Sequence, residues 1–101
     1  MRITQQQADT LKRIAADVFG PQARLRLFGS RTDDSRRGGD IDLYVSGLAQ
    51  SPKEMLDAKL QFLIKAKLAL GDQRIDLVLA TPAGQEPLPI QRIAEQTGIP
   101  L

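Results

Sequence analysis

The chain contains no cysteine and no histidine. That removes disulfides, thiol nucleophiles, imidazole bases and any zinc centre built on soft or borderline ligands, so chemistry here must run on carboxylates, hydroxyls and cations. An excess of either charge is also missing. Fourteen Lys and Arg stand against 12 Asp and Glu, a net charge of +2, and no direct nucleic-acid binding is expected from so small a surplus. No stretch approaches the roughly 20 apolar residues of a membrane span, and MRITQQQADT lacks the apolar centre of a signal peptide, so the expectation is a cytoplasmic protein without membrane association. What is present is ordinary: 42% hydrophobic and 26% charged residues in a chain of 101, expected to form one domain over 1–101.

The pattern of apolar residues predicts the elements. Thr4 and Gln7 form a capping box before Ala8, Leu11, Ile14, Ala15, Val18 and Phe19, which recur at helical spacing until Gly20-Pro21. RLRLFG alternates over 24–29, Leu25 and Leu27 facing one way and Arg24 and Arg26 the other, as in a half-buried strand. A polar loop follows from Arg31 to Gly39. DIDLYV then reads as a second strand with Ile41, Leu43 and Val45 on one face and Asp40, Asp42 and Tyr44 on the opposite one. Ser51-Pro52-Lys53-Glu54 opens a helix that continues to Leu70 and stops at Gly71. RIDLVLA is a third strand, with Asp76 on the face opposite Ile75, Leu77 and Leu79. After a loop over 81–87, PIQRIAEQTG makes a short last helix, and Ile99-Pro100-Leu101 is a tail or an edge strand.

Three features of this layout belong together: a strand ending in Gly29-Ser30, a strand carrying Asp40 and Asp42, and a strand carrying Asp76. Singly, each has a plain structural explanation as a turn, a solvated strand face and an edge-strand gatekeeper. Jointly they supply what phosphoryl transfer requires, because that reaction asks a protein mainly for metal ions, positioning and charge neutralisation. Carboxylates from positions 40, 42 and 76 offer the hard oxygen ligands that magnesium prefers, and without a cation three clustered carboxylates repel one another. Gly29 allows close backbone approach to phosphates, and amide groups following Ser30 can face an anion. Arg31, Arg36 and Arg37 in the same loop can pair with phosphate oxygens or remain solvated. Tyr44 can stack on a base or fill a sheet–helix interface, while Asp9, Asp17, Asp33 and Asp34 read as surface charges.

GSRTDDSRRGGDIDLYV followed by RIDLVL resembles the signature of the DNA polymerase beta superfamily of nucleotidyltransferases, and within it the minimal nucleotidyltransferase (MNT) branch. Nine residues separate Ser30 from Asp40, one fewer than is usual in that branch. The resemblance runs from the first strand to PIQRIAEQTGIPL. It implies an α+β fold, a small mixed β-sheet flanked by helices, similar to the polymerase palm. It further implies that Gly29, Ser30, Arg31 and Arg37 bind the nucleotide, and that Asp40, Asp42 and Asp76 are the catalytic, metal-binding residues for two Mg2+ ions. ATP is the implied nucleotide, and Asp76 would also help deprotonate the attacking hydroxyl. Members of this branch pair with helical proteins of the HEPN type, often RNase toxins, and some act as antitoxins by placing AMP on a toxin tyrosine. Two other functions stay open: neutralisation of such a partner by occlusion alone, and nucleotidyl transfer to a small molecule of the aminoglycoside type.

The long helix adds an observation independent of that resemblance. Leu56, Leu63 and Leu70, flanked by Met55, Phe62 and Ala66, are expected to face the core. Leu60, Ile64 and Leu68 form a second apolar stripe that one core does not need, and it is expected either to meet a partner or a second copy of the chain, or to pack under the 81–87 loop.

Overall fold

The computed structural model describes residues 3–28, 41–48, 51–71, 74–80 and 86–101. The chain forms α1 (Gln5–Phe19), β1 (Arg24–Phe28), β2 (Ile41–Ser46), α2 (Pro52–Leu70), β3 (Ile75–Leu79), α3 (Pro89–Thr97) and β4 (Ile99–Pro100). The architecture is a small mixed α+β fold: among the described residues, a four-stranded sheet in the order β3-β2-β1-β4 with three helices. β1 runs antiparallel to both β2 and β4, whereas β2 and β3 are parallel. Parallel neighbours need a crossover, and α2 provides it.

Local chemistry sets the element ends. The Gln7 amide donates to Thr4 Oγ1 at 3.0 Å while the Thr4 amide donates to Gln7 Oε1 at 2.9 Å, so two of the orphan donors at the start of α1 are satisfied reciprocally. Ser51 and Glu54 repeat the device at α2. At α3 the cap residue is Leu88, which has no side-chain acceptor; its amide donates to Gln91 Oε1 at 2.6 Å, and Gln91 Nε2 donates to the Leu79 carbonyl at 2.9 Å, tying the helix start to the end of β3. Gly47, with φ +76°, sits where an added Cβ would lie 2.5 Å from the Gln22 carbonyl oxygen, so only glycine fits the turn after β2.

The strand alternation divides the sheet into two faces. On one, Leu25, Leu27, Ile41, Leu43, Val45 and Leu77 pack against the buried side of α1 and against Ala58, Phe62 and Ala66 of α2. On the other, Phe28 and Tyr44 pack against Ala94 of α3, with Val78 and Ala80 beside them. The small Ala94 side chain is fully buried and lets the helix approach the sheet closely.

One expectation for α2 is corrected. Leu56, assigned above to the core face, is 61% exposed and lines up with Leu60, Ile64 and Leu68. Phe62 is six residues on, about 240° around a helix of 3.6 residues per turn, so the two cannot share a face. Met55, about two turns before Phe62 and on the same inner side, is buried instead. Among the described residues nothing covers the stripe. β2 begins at Ile41, and Asp40 lies outside the described residues. The C-terminal segment is an edge strand: Leu27 pairs with Ile99, Arg26 with Pro100, and the Leu101 amide donates to the Leu25 carbonyl at 3.1 Å. Among the described residues no helix is long and apolar enough to cross a membrane.

Candidate carboxylate site at one end of the sheet

Three chain segments arrive at the same end of the sheet. β2 and β3 are parallel and both begin there, and β1, antiparallel to β2, ends there. The register is explicit: Phe28 is opposite Asp42, and Asp42 is opposite Asp76. Residues directly opposite in a ladder project to the same face, so the two aspartates emerge side by side from strands about 4.8 Å apart. Ile41 and Leu43 on one strand, and Ile75 and Leu77 on the next, turn to the opposite face and enter the core, which holds the parity of both aspartates. Beyond them the ladder continues, the Ile41 amide donating to the Arg74 carbonyl at 2.9 Å.

Asp42 is half-buried and Asp76 exposed, at the margin of the area that α3 covers. Carboxylates facing each other across a ladder repel, which makes the pair an unfavourable place for two charges and a favourable one for a cation. Gly29, Ser30, Arg31, Arg36, Arg37 and Asp40 lie outside the described residues; by chain connectivity Gly29 follows Phe28 and Asp40 precedes Ile41. Among the described residues no group of three or more acidic side chains gathers to hold a metal ion.

The next row of the same face is Arg26, Tyr44 and Val78. Tyr44 is buried between Phe28 and Ala94, so of its two possible uses it serves packing. Its hydroxyl donates to Glu95 Oε1 at 2.8 Å, and Arg26 Nη1 donates to the Glu95 carbonyl at 2.9 Å. Burial, then the Glu95 hydrogen bond and charge, push the Tyr44 hydroxyl up to about 12, with Arg26 opposing. Because the folded value lies above the ordinary 10, this contribution to stability is fully present below pH 10 and is lost as pH rises toward about 12. Thermal unfolding followed across that interval is expected to show a falling Tm that flattens in Tyr44→Phe.

Glu95 was not apparent from sequence as a member of this face. Its one signal is spacing, since Gln91, Ala94 and Glu95 stand at i, i+3 and i+4 on α3 and form its sheet-facing side. Of the sequence-expected surface charges, Asp9 accepts from Gln5 Nε2 at 2.9 Å and Asp17 lies 3.5 Å from Lys65 Nζ, both on exposed helix surface. Comparison with protein-family models and with curated proteins finds no match to this chain.

Proposed function

We propose that the protein is a metal-dependent nucleotidyltransferase that moves a nucleoside monophosphate, AMP from ATP, onto a hydroxyl acceptor. The observation that supports this most directly is the pairing of Asp42 with Asp76 in register on one sheet face. The donor set fits magnesium, whose preference is for hard carboxylate oxygens supplemented by water and phosphate. Asp42 and Asp76, with Asp40 beside Ile41, would hold two Mg2+ ions, which when bound supply charge neutralisation at the phosphates and alignment of nucleophile with leaving group.

The remaining work falls to the chain's own groups. Gly29 and Ser30, which continue from Phe28 in the same row as the aspartates, would grip the triphosphate, with Arg31 and Arg37 pairing to its oxygens. Asp76, the more exposed carboxylate, would accept the proton of the acceptor hydroxyl. That hydroxyl oxygen bonds to the α-phosphorus while the bond from that phosphorus to the pyrophosphate oxygen breaks, and the electron pair leaves with pyrophosphate. Taken with the resemblance to the MNT branch, the acceptor proposed is a tyrosine hydroxyl of a HEPN-type helical toxin, and the biological role that of an antitoxin.

Two measurements test this together. Mg2+ is expected to raise the Tm of the wild type, as any ligand that binds only the folded state does, and to leave Asp76→Asn unmoved. Incubation with ATP labelled at the α-phosphate, Mg2+ and a HEPN-type partner is expected to label the partner, and Asp76→Asn to abolish it. A partner bound tightly but never labelled, with any nucleotide, refutes transfer and leaves occlusion as the mode of action.

A further inference from the structure

α2 is apolar on two opposite sides. Ala58, Phe62 and Ala66 point into the core, while Leu56, Leu60, Ile64 and Leu68 are 61%, 53%, 61% and 82% exposed. The outer four recur every fourth residue, so they form one continuous ridge spanning about 18 Å of helix. An exposed apolar strip of this extent marks an association surface.

The shape of the strip says what fits it. Toward the N-terminal end of α2 lies a depression lined by Lys53, Glu54, Leu56, Asp57 and Leu60. Positions 53, 56, 57 and 60 stand at i, i+3, i+4 and i+7, the diamond of four residues that receives one side chain from a facing helix. Toward the other end stands Leu68, the most exposed large apolar side chain among the described residues. Hole and knob lie at nearly the same distance, about 8 and 9 Å along the helix axis, from the point midway between Leu60 and Ile64. A two-fold axis through that point, with the helices antiparallel, brings Leu68 of a second copy into the hole and sets Leu60 against its Ile64, and the same contacts recur by symmetry.

Charge is compatible with the same arrangement. Beside the ridge runs the row Lys53, Asp57, Gln61, Lys65, all exposed. In antiparallel packing this row meets its own copy reversed, so each Asp57 comes to the end carrying the other's Lys65. Parallel packing instead sets this row against the opposite flank, Lys59, Leu63 and Lys67, and brings none of it against its own copy. Lys65 is free to turn: its pairing with Asp17 is 3.5 Å long and both side chains are well exposed.

We infer that the outer ridge of α2 is a self-association surface, through which two copies of this chain form an antiparallel two-fold dimer. The ridge lies on the sheet face opposite to the carboxylates, so this inference stands apart from the proposed activity.

The test is mass in solution over a concentration series, on the full chain. The expected mass rises from 11.1 kDa toward twice that value. Leu60→Glu and Ile64→Glu, both exposed and thus compatible with an unchanged circular-dichroism spectrum, are expected to remain at the single-chain mass. Orientation is read from cysteine variants, which are clean because the chain has no native cysteine. Oxidation of a mixture of differently tagged Asp57→Cys and Lys65→Cys chains is expected to yield mainly the mixed disulfide. A wild type that stays at 11.1 kDa throughout, a dimer that persists in both Glu variants, or a preponderance of like-with-like disulfides overturns the inference.

Discussion

Asp42→Asn is expected to lower nucleotidyl transfer by about a thousandfold or more while leaving the protein folded. The substitution keeps the shape of the side chain but replaces one oxygen donor by an amide and removes a unit of negative charge. If the carboxylates hold the ions, the change costs several kcal/mol of transition-state stabilisation, and about 4 kcal/mol corresponds to three powers of ten. The fold has no reason to follow, because the stability of β2 comes from Ile41, Leu43 and Val45 on the other face, all fully buried. The diagnostic pattern is thus an inactive variant that remains cooperatively folded without metal. The checks are label transfer from ATP and urea unfolding without Mg2+. Undiminished transfer in a folded Asp42→Asn variant would remove Asp42 from the chemistry.

The second large effect is structural. Phe62→Ala is expected to lower the Tm by roughly 15–30 °C, close to complete loss of the folded state at physiological temperature. Phe62 is fully buried, and its ring centroid lies 5.9 Å from that of Phe19 at a tilt of 38°, joining α2 to α1 over the sheet. Truncating a buried phenylalanine costs about 3–5 kcal/mol, the transfer term plus that of the cavity left behind. A domain of this size has about 5–15 kcal/mol in total, and each kcal/mol moves its Tm by roughly 4–8 °C. Leu68→Ala on the opposite side of the same helix is the control, expected to shift single-chain stability by no more than about 0.5 kcal/mol. Calorimetry on the two variants separates the faces of α2.

How far these properties could be read from residues alone differs by element, for physical reasons. The starts of α1 and α2 were legible because a capping box is a contact between residues three apart, and both boxes are present. The parity of Asp42 and Asp76 was legible too, since strict alternation leaves each on the side away from Ile41, Leu43, Ile75 and Leu77. Their pairing was not. Register between β2 and β3 depends on how the 19-residue α2 spans the crossover, and no local pattern encodes it. Leu56 was placed on the wrong side because a helix with two apolar faces offers more than one consistent choice of stripe. The Tyr44–Glu95 hydrogen bond joins residues 51 apart, and its two sequence neighbourhoods carry no mutual signal. Gly29, Ser30, Arg31, Arg37 and Asp40 lie outside the described residues, so their part in the candidate site rests on sequence and on chain connectivity to Phe28 and Ile41.

The two-sidedness of the sheet bears on the size of substrate that the proposed chemistry could take. Among the described residues, α1 and α2 occupy one side and α3 crosses the Phe28–Tyr44 portion of the other, with the aspartates at the rim beyond it. Asp76 is exposed at that rim, so a hydroxyl carried on a bulky macromolecule would meet its carboxylate at the protein surface. Back-to-back copies joined through α2 would present two such rims on outward surfaces, each approachable without disturbing the other.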